Sequence, residues 1–199
     1  DKHAVHRLAL RPLAADAIVL RSHQGLPVSV TMESSAIDVM TDLTRVKVFT
    51  VAPGTPINDA LQKMIHAEVR LLIVTGPTDA VLGVVSADDI MGERPVSVSV
   101  AERIPHNAVR VQQIMTPSDQ IEALRMDDVA DARVGDIVAT LRDAGRQHAI
   151  VLDKDENSGQ ESLRGIFSVT QIARQLGVSI ESDGKAQTFA ELERALYTT

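Results

Sequence analysis

Residues 56–74 lie over residues 133–151 without a gap at an offset of 77, so the chain carries one structural unit twice. The segment from Pro56 to Ile65 superimposes on the segment from Arg133 to Arg142. In the first copy Ile57, Ala60, Leu61, Met64 and Ala67 recur at helical spacing, and Val134, Ile137, Val138, Leu141 and Ala144 repeat that stripe position for position. Two amphipathic helices with the same buried face are predicted. Thr55-Pro56 reads as an N-cap followed by a first helical residue. Behind each helix comes a short apolar run, Leu71 to Val74 and Ala149 to Leu152, too short for another helix and suited to a buried strand.

A turn follows in both copies, at Gly76-Pro77-Thr78-Asp79 and at the longer, more polar segment from Asp153 to Gly159. Then a second strand runs into a helix. Leu82-Gly83-Val84-Val85-Ser86-Ala87-Asp88-Asp89-Ile90 matches Arg164-Gly165-Ile166-Phe167-Ser168-Val169-Thr170-Gln171-Ile172, with the shared pattern Gly-apolar-apolar-Ser-x-x-Asp/Gln-Ile. Upstream, Ile37-Asp38-Val39-Met40-Thr41 and Gln113-Ile114-Met115-Thr116-Pro117 form a leader to each copy. One unit of about 60 residues buries too little surface to be comfortable alone, so the two are expected to share a core about a pseudo-twofold axis.

Between the copies Pro95 to Val100 alternates like a strand or an extended connection. Residues 1–35 form an N-terminal extension that reads as a tail or a strand laid on the module. At the other end Thr188-Phe189-Ala190-Glu191 has the pattern of a capping box and predicts a short helix with Phe189, Leu192 and Leu196 on one side.

Composition narrows the functions open to such a repeat. With 44% hydrophobic residues in 199, disorder is not expected, and no apolar run approaches the ~18 residues that span a bilayer. The first residues do not read as a secretory signal, because Arg7, Arg11 and Asp16 interrupt the apolar ones; a cytoplasmic location is expected. There is no cysteine, which removes disulfides, thiolate nucleophiles and cysteine metal sites. Net charge is -7, basic residues are scattered singly and aromatics are 2%, so neither a phosphate-neutralising stripe nor a base-stacking platform for nucleic acid is present. The six histidines show no ligand spacing, and no nucleophile elbow or glycine-rich phosphate loop occurs. Neither a metal nor catalysis is expected.

The Met-Thr leader, the N-capped helix, the short buried strand and the Gly-apolar-apolar-Ser-x-x-Asp ending, repeated in the same order, resemble the CBS (cystathionine-β-synthase) domain occurring in tandem, the Bateman module. The resemblance implies an α+β fold of two βαββα repeats packed sheet to sheet. Repeat 1 then occupies residues 36–92, a linker 93–109, repeat 2 residues 110–177 and a tail with its helix 178–199. It further implies a regulatory module rather than an enzyme, binding AMP, ADP, ATP or S-adenosylmethionine between the repeats and signalling to a protein effector, as a homodimer. No catalytic cofactor is implied; the adenine nucleotide is a regulatory ligand.

By the same resemblance Ser86 and Asp89 face the ribose, where a carboxylate can accept from both hydroxyls and a helix start favours an anion. Thr44, Phe49, Val69 and Arg70 fall at the adenine and phosphate contacts, with Arg70 the phosphate candidate. Arg146 and Gln147 stand at the equivalent places of the second copy, where Ser168 is followed by Gln171 instead of the ribose Asp. A single competent site around Asp89 is the expectation. Plain alternatives stand beside these roles: Ser86-x-x-Asp89 and Ser168-x-x-Gln171 both satisfy helix capping, and Arg70 and Arg146 suit solvated strand ends. A ligand-free dimerisation or interaction scaffold is the rival function.

Overall fold

The computed structural model describes residues 7–18 and 24–178. The helix expected near residues 188–196 lies outside them, as do His3, His6 and His23.

Each copy is a βαββα unit, as predicted. The first contains β1 (Thr41–Asp42) in its leader, then β2 (Thr50–Val51), α1 (Ile57–Ala67), β3 (Leu71–Thr75), β4 (Val81–Ser86) and α2 (Ala87–Met91). After it come α3 (Arg94–Glu102) and α4 (Val111–Ile114). The second contains β5 (Thr116–Pro117) in its leader, β6 (Leu124–Arg125), α5 (Met126–Ala130), α6 (Val134–Ala144), β7 (His148–Lys154), β8 (Glu161–Ser168) and α7 (Val169–Gln175).

Helices α1 and α6 have equal length and close in the same way. Glu68 at φ 55° and Gly145 at φ 63° each turn the chain into the left-handed region at the C-cap. Pro56, not Thr55, is the N-cap of α1, so that helix begins one residue later than its sequence suggested. Thr55 instead offers its carbonyl to Val111 N at 2.9 Å.

Two four-stranded sheets result, in the orders β1-β8-β7-β6 and β2-β3-β4-β5. The leaders are exchanged. β1, from the first copy, pairs antiparallel with β8 through Thr41 and Ile166, and β5, from the second, pairs antiparallel with β4 through Thr116 and Val84. Glycines at the crossing points make this possible. A Cβ on Gly83 would stand 2.4 Å from the Thr116 carbonyl oxygen, and one on Gly165 would stand 2.4 Å from Met40 Sδ. That close approach explains the glycine in the motif shared by the two copies.

Two apolar cores form, one per repeat, in place of the single shared core expected. Ile57, Ala60, Met64, Leu72, Val85 and Ile90 belong to the first, while Val134, Leu141, Val151, Phe167 and Ile172 belong to the second, with Val39 and Met40 inserted from the first leader. Burying each such side chain contributes about 1.5–3 kcal/mol before the entropy of ordering it is subtracted. Sharing the leaders means neither core closes without the other copy.

The stretch Pro95–Val100 is helical, contrary to the strand or extended connection its alternation suggested. Pro95 sits in the first turn of α3, where its missing N–H is no loss, and Pro95 and Val98 turn inward while Val96 and Val100 face out. Residues 24–34 of the N-terminal extension lie along the second copy without forming a strand. Ser34 O accepts from Val134 N at 2.9 Å just as Val109 O accepts from Ile57 N at 3.1 Å, so the extension occupies for the second copy the place that the linker occupies for the first. Val30 enters the second core. Among the described residues no helix is long and apolar enough to cross a membrane.

Candidate functional site

Leader exchange decides which side chains meet. β1 sets Thr41 and Asp42 against Ile166 and Gly165, with the Thr41 hydroxyl on Gln171, and β5 sets Thr116 and Pro117 against Val84 and Gly83, on the strand that runs into Ser86 and α2. Each of these two clefts is therefore built from both copies.

In the Asp89 cleft, β4 runs into α2 through a reciprocal cap. Ser86 Oγ accepts from Asp89 N at 3.1 Å and Asp89 Oδ2 accepts from Ser86 N at 2.9 Å. The other carboxylate oxygen faces Arg94 at 3.6 Å, with the Asp89 side chain 17% exposed. That Arg94 contact is an ion pair too long to be a hydrogen bond. Arg94 also donates to the Ile114 carbonyl at 2.8 Å, tying α3 to the second leader. Arg70 is at the start of β3, but its guanidinium donates to Asp88 at 3.2 Å and is half exposed, so its charge is already matched.

The Gln171 cleft is organised by amides. Gln171 N donates to Ser168 Oγ at 3.4 Å, a weaker cap than its counterpart. The Thr41 hydroxyl donates to Gln171 Oε1 at 3.3 Å, while Gln171 Nε2 reaches the Val39 carbonyl at 3.4 Å and Gln175 Oε1 at 3.1 Å. Gln147 is buried at its Nε2, which has no hydrogen-bond partner among the described residues, while Arg146 is exposed at the end of the α6 turn.

Beside Thr41 a cavity of about 520 Å³ opens between the sheets, lined by Leu43, Val46, Phe49, Val69 and Ile166 among others. The volume lies in the range of small-molecule sites, and the lining is mostly apolar with a few polar groups. Phe49 and Val69 thus line a cavity with the first leader and a residue of β8, and they also pack against the first core, to which α2 contributes Ala87 and Ile90. Thr44 is on that same leader, exposed, and its hydroxyl and N–H both donate to Asp42 Oδ1, at 2.6 and 2.9 Å. Arg164 Nε donates to the same oxygen at 3.3 Å. Burial alone pushes the Asp42 carboxyl up, but the Thr44 hydroxyl and N–H, together with Arg164, outweigh it and hold the group below its ordinary value.

Sequence reasoning missed Arg94 and Asp42. Arg94 sits in a stretch that reads as linker, and only the turn at Gly92 folds it back over Asp89. Asp42 follows the leader's Met-Thr, but the aligned residue of the other copy is Pro117, so alignment gave no reason to single it out. That difference is chemical as well: Asp42 has an N–H to donate and Pro117 has none.

The CBS domain family model matches residues 36–95. Among solved structures, an uncharacterized conserved protein from Pyrococcus horikoshii is 19% identical with a TM-score of 0.53, covering 77% of this chain and all of its own. A CBS-domain-containing protein from Agrobacterium tumefaciens is 18% identical with a TM-score of 0.51, covering 78% of this chain and 98% of its own. CBSX2, solved in complex with AMP, is 22% identical with a TM-score of 0.47, covering 71% of this chain and 94% of its own. No curated protein matches the sequence.

Proposed function

We propose that this chain, a tandem CBS pair, is a regulatory sensor that holds an adenosine ligand between its repeats and passes the occupied state to a protein effector. The observation that carries this reading is the apolar cavity beside Thr41, bounded by both sheets, with Gln171 and Ser168 at one end of the leader that lines it. A ligand there touches both copies at once, so it favours whichever arrangement of the repeats fits it better. In the second cleft the ribose falls to Asp89. Its Oδ2 is occupied by the cap, and its Oδ1, in a 3.6 Å ion pair with Arg94, can still accept from a hydroxyl. Arg94 beside it is the nearer cation for a phosphate, its 3.6 Å contact with Asp89 being looser than the 3.2 Å hydrogen bond that ties Arg70 to Asp88.

The test is a melting panel with AMP, ADP, ATP and S-adenosylmethionine. A ligand at 100 times its Kd adds about 2.7 kcal/mol to the folded state, which for a chain of this size raises Tm by roughly 5–10 °C. Asp89→Ala and Gln171→Ala then each weaken binding at their own cleft. If none of the four ligands moves Tm at millimolar concentration, the reading fails.

A scaffold remains as the second reading, favoured by one observation: Ile65, Met91, Val96 and Val100 stand exposed on α1, α2 and α3. On that reading Val100→Asp would break a dimer seen by sedimentation, and no nucleotide would shift Tm.

A further inference from the structure

Gln24, in the extension, makes two hydrogen bonds to the first leader. Its Nε2 donates to the Met40 carbonyl at 2.8 Å, and its Oε1 accepts from the Asp42 N–H at 2.8 Å. Both backbone groups lie on the edge of β1 turned away from β8, because Thr41 is in register with Ile166 and Leu43 N donates to Arg164 O. They are the open edge of the leader that also presents Thr41 to Gln171.

A carbonyl followed two residues later by an N–H, on one strand edge, is complementary to a planar group with a donor beside an acceptor. A carboxamide has that pair. So does adenine, through its N6–H and N1. Guanine carries the reverse, an O6 acceptor beside an N1–H donor, and in the orientation adenine takes would mismatch both backbone groups; it pairs with them only if the base is turned over, which sends its sugar the other way.

We propose that Gln24 is a built-in stand-in for an adenine base at the Gln171 cleft, so that an adenine nucleotide takes its base position there only by displacing the Gln24 side chain. The proposal rests on the reading above, in which an adenosine ligand lies beside that leader.

The surroundings suit a plug that swings without unravelling the extension. Downstream, Pro27 O accepts from Gln175 Nε2 at 2.8 Å, Val30 N donates to Gln175 O at 2.9 Å, and Val30 is buried in the second core. Between this anchor and Gln24 stands Gly25 at φ 68°, in the left-handed region that favours glycine. Rotation about Gly25 frees Gln24 while residues 27–30 stay seated. At the Asp89 cleft the matching edge ends in Pro117, which has no N–H, so the same two-bond reading of a base cannot form there. The two clefts differ in kind: the Gln171 cleft reads adenine and is internally occupied, whereas the Asp89 cleft offers a carboxylate and a cation.

The experiment uses the full chain, labelled with ¹⁵N, and Gln24→Ala, whose missing side-chain amide signals assign those of Gln24. On adding ATP to the wild type, the Gln24 side-chain signals shift; GTP leaves them in place. Gln24→Ala binds ATP about tenfold more tightly, the scale expected from two hydrogen bonds no longer broken on binding. Gln24→Glu, which sets an anionic oxygen against the Met40 carbonyl, also tightens binding. If ATP moves other signals while those of Gln24 stay, and the variants bind ATP no better, the plug is overturned and the nucleotide reading stands. Displacement of Gln24 by GTP as readily as by ATP overturns the base mimicry. If ATP perturbs neither wild type nor variants at millimolar concentration, this inference and the reading beneath it fall together.

Discussion

Gly83→Ala should destabilise the chain more than any other single methyl added to a glycine of the motif, because it strikes the exchanged leader. The new Cβ would sit 2.4 Å from the Thr116 carbonyl oxygen, 3.1 Å from Met115 Sδ and 3.2 Å from Pro117 Cα. Ordinary carbon–oxygen contacts are about 3.3 Å or longer, so the leader must retreat by about 1 Å. Backbone cannot rotate out of the way as a side-chain end can. Overpacking of this kind costs about 1–3 kcal/mol, and each weakened ladder bond between β4 and β5 adds about 1 kcal/mol. Reduced freedom of the unfolded chain returns about 0.4–1 kcal/mol. The net loss is about 2–4 kcal/mol, or roughly 5–15 °C in Tm for a chain of this size.

Gly165→Ala is the informative comparison. Its Cβ meets Met40 Sδ at 2.4 Å and Cγ at 2.7 Å, with the Thr41 carbonyl at 3.1 Å, so a buried but flexible side chain takes most of the strain and the loss should be smaller. Gly54→Ala, with nothing within 4 Å, sets the baseline. Urea unfolding of the three variants gives the ranking. If Gly83→Ala unfolds at the same midpoint as Gly54→Ala, the leader of the second copy does not cross β4 as described.

Two further predictions concern single residues. Asp42→Asn should flatten the acid limb of the stability curve. The wild-type carboxyl is held below its ordinary 3.8, so the stability it lends is present above that value and is lost as pH falls through the lower folded-state value; urea midpoints of the two proteins should converge toward low pH, and a gap that widens there refutes the assignment. Glu68→Gly should raise stability by about 1 kcal/mol, because Glu68 holds φ 55° at the C-cap where the second copy has Gly145; a calorimetric Tm unchanged or lowered contradicts the strain.

Much of the candidate site was legible from the repeat, and its failures have definite causes. The Ser86 and Ser168 caps follow from a motif read within a few residues, where backbone N–H groups at a helix start need a nearby acceptor. Phe49 and Val69 line the cavity beside Thr41 with Ile166 of the other copy as well as packing on their own core. No periodicity within residues 36–92 says which leader will complete which sheet. The strand expected at Pro95–Val100 failed for a related reason. An alternating Val-Ser pattern fits a strand, but it also leaves Pro95 and Val98 on one side of a helix, and the first core decided between them.

By itself the sequence determined that there are two copies, where their helices and central strands run, which faces those elements bury, and that the copies differ at Asp89 and Gln171. These are local matters of period, cap and turn. Only the tertiary structure decided that the leaders change places, that Arg94 folds over Asp89, and that Gln24 lies along the leader 16 residues ahead at Met40. The reason is that a strand's side chains announce its faces, while its hydrogen-bonding edges are backbone, alike in every residue but proline, and carry no label for the partner they will meet.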